Sequence, residues 1–370
     1  MKFTNCVTLV GSKPKRYEGT KRYVSTGALA VDHIDEESVE LVGYEDRPSR
    51  ADLTAESGDV LFAKMADTKK TILLDKENAE NIYSTGFFAV RAKPGMITAE
   101  CLYYLLTSDV FLRQKNKHSS GATQRAITNK GLEAIDISIP NLDEQTRLVA
   151  KLDALSKVIK SREQQLAELD NLIKARFVEL FGDSKVNPYG FNKVRLEDSC
   201  EIVTGNTPSR TVNDYYGDYI EWIKTDNIMA EMMYPTRATE SLSEVGLKVG
   251  RYVEKGAILM ACIAGSVASI GKVCITDRQV AFNQQINAIV PKKYNALFLY
   301  VLLQTSKDYL VEELNMALKG ILSKSKLGEK TFILPPMDQQ NAFAAFVAQI
   351  DKSKVVVQKA LSKNVQYFTI

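Results

Sequence analysis

The sequence predicts an α+β protein made by tandem duplication, with two domains separated by two long antiparallel, coiled-coil-like helices. Three observations carry that prediction. Short runs rich in Val, Ile, Tyr and Thr, punctuated by Gly and Pro, read as strands in both halves. Each half then carries one amphipathic helix, near Ala99–Gln114 and Ala296–Leu318. Four segments of the first half also recur, in the same order, in the second.

Tyr23-Val24-Ser25-Thr26 matches Trp222-Ile223-Lys224-Thr225, and Gly58-Asp59-Val60-Leu61 matches Gly256-Ala257-Ile258-Leu259. Leu102-Tyr103 with Leu105-Leu106 matches Leu299-Tyr300 with Leu302-Leu303. Ile139-Pro140-Asn141-Leu142-Asp143-Glu144-Gln145 matches Leu334-Pro335-Pro336-Met337-Asp338-Gln339-Gln340. The offset drifts only from 199 to 195 residues along the series. One such match is noise, whereas four in order point to two copies of one unit. The expected segments are a first domain at 1–140, a central helix at 141–184, a second domain at 185–335 and a C-terminal helix at 336–370. Expected strands include Thr71–Leu74, Phe87–Val90 and Ile286–Val290.

Each (I/L)-P-x-(L/M)-D-x-Q element opens a helix. After Pro140 the apolar positions are Leu148, Leu152, Leu155, Ile159, Leu166, Leu169, Ile173, Phe177 and Leu180, with Arg162 filling one place. Steps of three and four residues make a heptad-like seam. Neither Pro nor Gly falls between Asn141 and Phe181, and Gly182 supplies a stop. The second seam is Phe343, Val347, Ile350, Val357, Leu361, Val365 and Phe368, interrupted by Lys354. Two such stripes can bury against each other.

The chain has 370 residues, with 48 basic against 45 acidic side chains. Residues 1–140 hold 19 of each, so a polyanion site has to come from local clustering rather than domain charge. The longest apolar run, Ala257 to Ala264, is far below the roughly 20 residues of a membrane span. With no apolar signal core at the N-terminus, a cytoplasmic protein without membrane contact is expected. The cysteines, Cys6, Cys101, Cys200, Cys262 and Cys274, are scattered and odd in number, as for reduced thiols. His33 and His118 are the only histidines, so no histidine-based metal centre is expected. Gly265 to Val273 imitates a phosphate loop but is one residue too long and has Val273 where Ser or Thr should bind magnesium. Asn187-Pro188-Tyr189 lacks the second proline and the upstream glycine loop of an amino-methyltransferase. No catalytic constellation is present, and none is expected on this chain.

Polar and basic loop clusters remain. In the first copy they are Lys13, Lys15, Arg16, Lys21 and Arg22, then Lys69 and Lys70, then Ser119 to Arg125 with Gln124 and Arg125. In the second they are Asn206 to Arg210 with Ser209 and Arg210, then Lys224 with Asn227, then Lys319 to Lys326 with Lys319, Lys324 and Lys326. Arg and Gln suit base edges, and Lys and Ser suit phosphates. Solvated loops are also rich in these residues, so the clusters at 119–125 and 319–326 are the more telling. Each lies in the same place in its copy, just before the proline–acid–glutamine element.

That arrangement resembles the DNA specificity subunit of Type I restriction–modification systems. The resemblance rests on Ile139 to Asp153, on Phe177-Val178-Glu179-Leu180-Phe181-Gly182-Asp183 and on Leu334 to Gln340. It also rests on Gly205 to Arg210, with Gly217 to Trp222 after it. It covers essentially the whole chain. Gln339 replaces the usual acid before the glutamine, and the last helix ends at Tyr367-Phe368-Thr369-Ile370 without the close found at 177–182.

The resemblance implies two target-recognition domains, each reading one half of a split double-stranded DNA target, joined by spacer helices. It implies two docked methyltransferase subunits that hold S-adenosylmethionine and methylate adenine. Restriction subunits (translocase and nuclease), using ATP and magnesium, can join them. On this reading the chain holds no cofactor and catalyses nothing. Two other classes are weighed: a self-contained nucleic-acid-modifying enzyme, and a protein scaffold that uses the helices without DNA. Labelled S-adenosylmethionine with DNA and the pure chain separates the first, and salt-dependent DNA binding of the assembled complex separates the second.

Overall fold

A computed structural model describes residues 1–230, 232–263, 269–312 and 321–368, the side chains of 366–368 excepted. The chain forms two compact units, Met1–Ser161 with Leu361–Ile370, and Arg162–Ala360.

In the first unit, strands Val7–Val10, Phe87–Ala92, Val60–Ala63 and Thr71–Leu73 lie side by side in that order, antiparallel throughout. A second sheet orders Glu40–Gly43, Thr20–Val24, Ile82–Ser84 and Ala51–Leu53, with a parallel central pair. A parallel pair needs a crossover, and here the crossover includes two strands of the other sheet. Val60–Ala63 is buried at every position. Val60 and Phe62 enter one core with the helices, while Leu61 and Ala63 enter the core between the sheets. The period-two alternation of a strand is thus covered on both faces, which is why Val60–Ala63 reads as continuously apolar.

The second unit repeats this plan. Cys200–Thr204, Ile286–Pro291, Ile258–Ala261 and Val273–Ile275 form the matching antiparallel sheet. Ile220–Ile223 and Val280–Phe282 form the matching parallel pair. Ile258 and Met260 face one core and Leu259 and Ala261 the other, as their counterparts do. The sheet that holds the parallel pair has a short strand, Tyr216–Gly217, at one edge.

The single helix expected near 99–114 is two helices, Ala99–Thr107 and Asp109–Lys117. Ser108 between them is extended, and its hydroxyl accepts the Phe111 N–H at 3.1 Å, capping the second helix. The helix expected near 296–318 also breaks, at Ser306 between Ala296–Thr305 and Lys307–Val311, but there without an extended residue or a side-chain cap. Its expected residues 313–318 lie outside the described ones.

The long helices run Leu142–Phe181 and Met337–Phe368. Gly182, at φ +70°, ends the first in the left-handed conformation that glycine adopts freely. The glutamine of each proline–acid–glutamine element is buried and tied to the domain helix beside it. Gln145 accepts the backbone N–H of Thr98 through Oε1 and donates through Nε2 to the carbonyls of Met96 and Pro140, each at 2.9 Å. Gln340 accepts the N–H of Asn295 at 2.9 Å and donates to the carbonyl of Pro335 at 2.8 Å. Thr98 and Asn295 are the N-caps of Ala99–Thr107 and Ala296–Thr305. The repeated element therefore fixes a long helix to a domain helix through a backbone donor that any sequence provides.

In the second unit the helices pack antiparallel. Phe177 meets Phe343 and Asp170 meets Lys354, so rising numbers on one helix face falling numbers on the other. Ile173, Phe177, Phe181, Phe343 and Val347 are buried, and Ile350 packs against them. Each fully buried Phe contributes about 1.5–3 kcal/mol relative to exposure. Lys354, expected as an interruption, is buried at 5% exposure and ion-paired to Asp170 at 2.6 Å. Arg162 is half-buried and donates to Gln165 Oε1 at 2.8 Å.

Two seam positions are corrected, one near the end of the second long helix and one near the start of the first. Val365 is 43% exposed, and the side chain of Phe368 lies outside the described ones. Leu148 is 42% exposed, while Val149 packs on the first unit's core. The helical step from the anchored Gln145 brings 149 inward and turns 148 out. Leu152, Leu155, Ile159, Leu166, Leu169, Val357 and Leu361 are half-buried along their helices.

Candidate nucleic-acid interface

In the first unit, strand Val7–Val10 ends at Gly11. A Cβ there would meet Leu53 Cδ1 at 2.5 Å, and φ is +103°, so the turn needs glycine. The loop that follows lines a groove of about 650 Å³ with Lys13, Lys15, Arg16, Tyr17 and Lys21. Three of the sequence candidates, Lys15, Arg16 and Lys21, therefore meet with Lys13 in one place. Most carry an internal partner. Lys13 pairs with Asp52 at 3.4 Å and Arg16 with Glu45 at 3.2 Å, and Lys21 lies 5.6 Å over the ring of Tyr17. Lys15 is exposed, with no carboxylate in ion-pair range among the described residues. Arg91 and Asp59, also in the groove, form an ion pair at 2.6 Å. Arg22 does not line the groove; it donates to both oxygens of Glu36, at 2.8 and 2.7 Å.

A second cluster surrounds the hairpin of Ser119–Ser120 and Ala126–Ile127. Its tip carries Gln124 and Arg125, both exposed. The backbone of Ala66 donates to the Arg125 carbonyl at 2.9 Å, and Ile127 donates to that of Lys64, so the hairpin leans on the 64–70 turn. Lys69 there pairs with Asp109 at 2.6 Å. Lys70 is less available than expected, because its Nζ donates to the Thr26 carbonyl at 2.8 Å. Beneath the turn Lys115 is buried, donating to the carbonyls of Ala63 and Thr68. Burial pushes this lysine down to about 8, against the pull of Asp67.

In the second unit, Cys200–Thr204 ends at Gly205, where a Cβ would meet Asn283 O at 2.1 Å. Asn206 fastens the following loop, accepting the N–H of Arg251 at 2.8 Å and donating to the carbonyl of Val249. Arg210 lies over two rings, 4.4 Å from the centroid of Tyr216 and 5.1 Å from that of Trp222. Lys224 lies 5.2 Å over Trp222. Both cations reach one carboxylate. Arg210 Nη2 donates to Glu240 Oε2 and Lys224 Nζ to Glu240 Oε1, each at 2.7 Å. Hydrogen bonds from Lys224 and then Arg210 hold the Glu240 carboxyl below its usual range. Ser209 is exposed and shares a 2.8 Å hydrogen bond with Thr211.

Beside this group Glu221 is bound by Arg278, by the N–H of Ala238 and by Arg237. Burial acts to raise its carboxyl, but these hydrogen bonds outweigh it and bring it down to about 2.

Three candidates in this unit need correction. Asn227 is buried, and its side chain is consumed by a turn: it accepts the Lys224 N–H at 3.0 Å and donates to Thr236 Oγ1 and the Arg237 carbonyl. It shapes the turn and has no amide left for a base. Lys324 and Lys326 were expected in a loop but stand in the first turn of a helix, Lys324–Glu329, capped by Ser323. Both are exposed. Lys319 lies outside the described residues, as do residues 264–268 of the phosphate-loop imitation.

Sequence reading missed Glu240, Tyr216, Trp222 and Lys115 as parts of these clusters. A signal for the first three was present. Gly11-Ser12-Lys13-Pro14-Lys15-Arg16 and Gly205-Asn206-Thr207-Pro208-Ser209-Arg210 share Gly-x-x-Pro-x-Arg, 194 residues apart. Aligning them makes Arg16 and Arg210 equivalent and directs attention to what holds each.

Known proteins share this duplicated plan. Over 160 residues the chain is 32% identical to the Type I restriction enzyme HindI specificity subunit of Haemophilus influenzae, 42% of this chain and 34% of that protein. Over 188 residues it is 27% identical to the MjaIX specificity subunit of Methanocaldococcus jannaschii, 49% of this chain and 43% of that one. Each match thus spans less than half of the curated relative. Among solved structures, the S subunit of a Type I restriction–modification system from M. genitalium superposes with a TM-score of 0.57 at 13% identity. That match covers 100% of this chain and 93% of the other. A chain from a type I R-M system, solved to explain complex assembly and conformational transition, gives 0.54 at 21% identity, covering 100% and 96%. Both share the fold. The Type I restriction modification DNA specificity domain matches twice, at residues 13–171 and 188–367. Two matches, each holding one Gly-x-x-Pro-x-Arg arginine and one buried helix-anchoring glutamine, place the chain in the Type I restriction–modification DNA specificity family.

Proposed function

We propose that the chain is the non-catalytic sequence-specificity subunit of a cytoplasmic Type I restriction–modification complex. Each unit reads one half of a bipartite double-stranded DNA target. The carrying observation is the duplication itself: one β-sheet plan built twice, each copy ending in a glutamine fixed to a long helix, with different loops on the same frame. A repeated frame with unequal loops suits two unlike half-sites. In the first unit the DNA contacts are Lys15, Arg16, Lys21 and the hairpin residues Gln124 and Arg125, with Lys69 nearby. In the second they are Ser209, Arg210, Lys224, Lys324 and Lys326.

The methyl donor, S-adenosylmethionine, belongs to two methyltransferase subunits docked on the long helices. ATP and magnesium belong to restriction subunits where these are present. The near-zero charge of the first domain is compatible with this if partner subunits supply many of the phosphate contacts.

The test is methylation mapping in a host expressing the chain with a methyltransferase from the same operon. The expected result is one split, asymmetric motif, present only when this chain is expressed. Incubating the pure chain with labelled S-adenosylmethionine and DNA should transfer no methyl group. Methylation by the chain alone, or a motif unchanged when the chain is replaced, overturns the proposal.

A further inference from the structure

The inference concerns Glu240 and rests on the DNA-reading function proposed above. Its two carboxylate oxygens are spent on two cations from different segments, Arg210 and Lys224. Its own backbone is fixed, since the Trp222 N–H donates to the Glu240 carbonyl at 3.0 Å. The cations sit on Trp222, which is buried at 3% exposure and whose indole N–H donates to the Asn206 carbonyl at 3.2 Å. Carboxylate and aromatic platform are thus both held in place. The side chains of Glu240 and Arg210 are 36% and 54% exposed, so a competing anion can reach the cations that Glu240 holds.

A DNA phosphate approaching this surface finds cations already neutralised. Non-specific DNA binding draws nearly all its free energy from phosphate–cation contacts and the counterions they release. A cation held by an internal carboxylate releases few counterions, and phosphate has to displace the carboxylate first. Base reading is affected differently. Arg210 commits one terminal nitrogen to Glu240 and keeps other N–H donors, with its guanidinium carbon held 4.4 Å from the Tyr216 ring centroid. A guanidinium fixed in this way is pre-organised for a base edge, which needs a planar fork rather than bare charge.

We propose that Glu240 is a specificity-determining residue: it screens Arg210 and Lys224 from phosphate and presents Arg210 for base contact, lowering non-specific affinity more than cognate affinity.

The test uses the full chain assembled with its methyltransferase subunits. Two probes are required, a random-sequence duplex and a duplex carrying the mapped target, each titrated across a salt series. For Glu240→Gln the expected result is about 3- to 10-fold tighter binding to the random duplex. The salt dependence of that binding should steepen by one to two phosphate equivalents, at a slope of about 0.9 per phosphate. Cognate affinity should change less, so the cognate-to-random ratio falls. Glu240→Asp keeps the charge and should retain most of the wild-type ratio, which also controls for folding. Glu244→Gln removes an exposed charge nearby that has no ion-pair partner among the described residues, and should leave the ratio unchanged.

Random-duplex binding that is unchanged or weaker in Glu240→Gln overturns the inference. So does an equal gain in Glu244→Gln, which reduces the effect to net charge. If the wild-type complex binds neither duplex, the DNA-reading function itself fails and the inference fails with it. If the wild type binds selectively and only the Glu240→Gln result is wrong, the function stands and the screening role alone is lost.

Discussion

The two repeats fasten their glutamines alike and their arginines differently. Gln145 and Gln340 both take the N–H of an N-cap residue, Thr98 or Asn295. Arg16 and Arg210 close the same Gly-x-x-Pro-x-Arg loop, yet Arg16 is 81% exposed and meets Glu45 at 3.2 Å. Arg210 lies over two aromatic rings and shares Glu240 with Lys224. The difference separates frame from reader. The glutamine's partners are backbone groups, present whatever the side chains, so the solution can be used twice. The arginine's partners are side chains of neighbouring turns, loops and strands, and each copy is free to change them.

The frame half of that comparison breaks most severely at the glutamines. Gln145→Ala leaves the Thr98 N–H and two carbonyls without their partner in a buried site. Gln340→Ala leaves one N–H and one carbonyl. Unsatisfied buried groups cost about 1–3 kcal/mol each, partly relieved by water. The expected losses are about 3 kcal/mol for Gln145→Ala and about 2 kcal/mol for Gln340→Ala. Denaturant titration should show each loss in its own unit's transition. Equal small losses, under about 0.5 kcal/mol, would mean the glutamines are not what ties the helices down.

The helix pair of the second unit carries a further asymmetry. At the corresponding repeat positions, 195 residues apart, Lys354 faces its counterpart Ile159 in sequence, and Asp170 its counterpart Val365. Asp170→Ala leaves the Lys354 ammonium buried without its carboxylate. Breaking a buried pair costs 3–5 kcal/mol, but Asp170 is 36% exposed and solvent screens part of that. A loss of about 2 kcal/mol is expected. The double variant Asp170→Leu with Lys354→Met restores the apolar character of the other repeat and should be neutral or stabilising. A double variant as unstable as the single one would show that the pair is needed for more than its own charges.

Much of this was legible in the sequence. Seam residues Ile173, Phe177, Phe343 and Val347 are buried as their spacing requires, because a 3.6-residue repeat fixes which side chains share a face. The strands at Thr71, Phe87 and Ile286 appear where β-branched and aromatic runs placed them. Leu148 failed because periodicity alone does not set phase, and the anchor at Gln145 does. Asn227 failed because composition cannot distinguish an exposed amide from one spent inside a turn. Lys354 looked like a flaw in the seam because its partner lies 184 residues away. Long-range pairing of charges leaves no local trace in either segment.

A smaller effect distinguishes the units by pH. Lys115 in the first unit titrates at about 8, below the ordinary lysine value of about 10.4. Below pH 8 it is protonated in both the folded and unfolded chain. Between about 8 and 10.4 the unfolded chain keeps a proton that the folded one has released, so this residue makes stability rise with pH. Burial raises the thiols of Cys6 and Cys101, which acts in the opposite direction over an overlapping range. Lys115→Met isolates the lysine. The stability difference, wild type minus variant, should grow from pH 8 to about 10 in the first unit's transition and stay flat in the second's. A flat difference in both would mean that the lysine keeps an ordinary pKa despite its burial.

The smallest expected effects fall on the exposed reading residues, and they sharpen the comparison most directly. Gln124 and Arg125 occupy a hairpin tip, and Lys324 and Lys326 a helix start. All four side chains are exposed, and the hydrogen bond that Arg125 Nη2 donates to the Asn116 carbonyl is itself exposed. Gln124→Ala with Arg125→Ala, and Lys324→Ala with Lys326→Ala, should therefore each change stability by less than about 1 kcal/mol. Their effects on DNA should differ in kind. Arg125 and Gln124 can hydrogen-bond a base edge, so losing them should cost about 1–3 kcal/mol on the cognate duplex and relax the motif in one half-site. Lys324 and Lys326 are point charges suited to phosphate. Losing them should weaken all sequences alike and flatten the salt dependence by about one phosphate equivalent per lysine. Methylation mapping of the two double variants, with binding measured across salt, separates these outcomes. Relaxed reading of the same half-site by both variants would place both segments on one half of the target, and the assignment of one half-site to each repeat would fail.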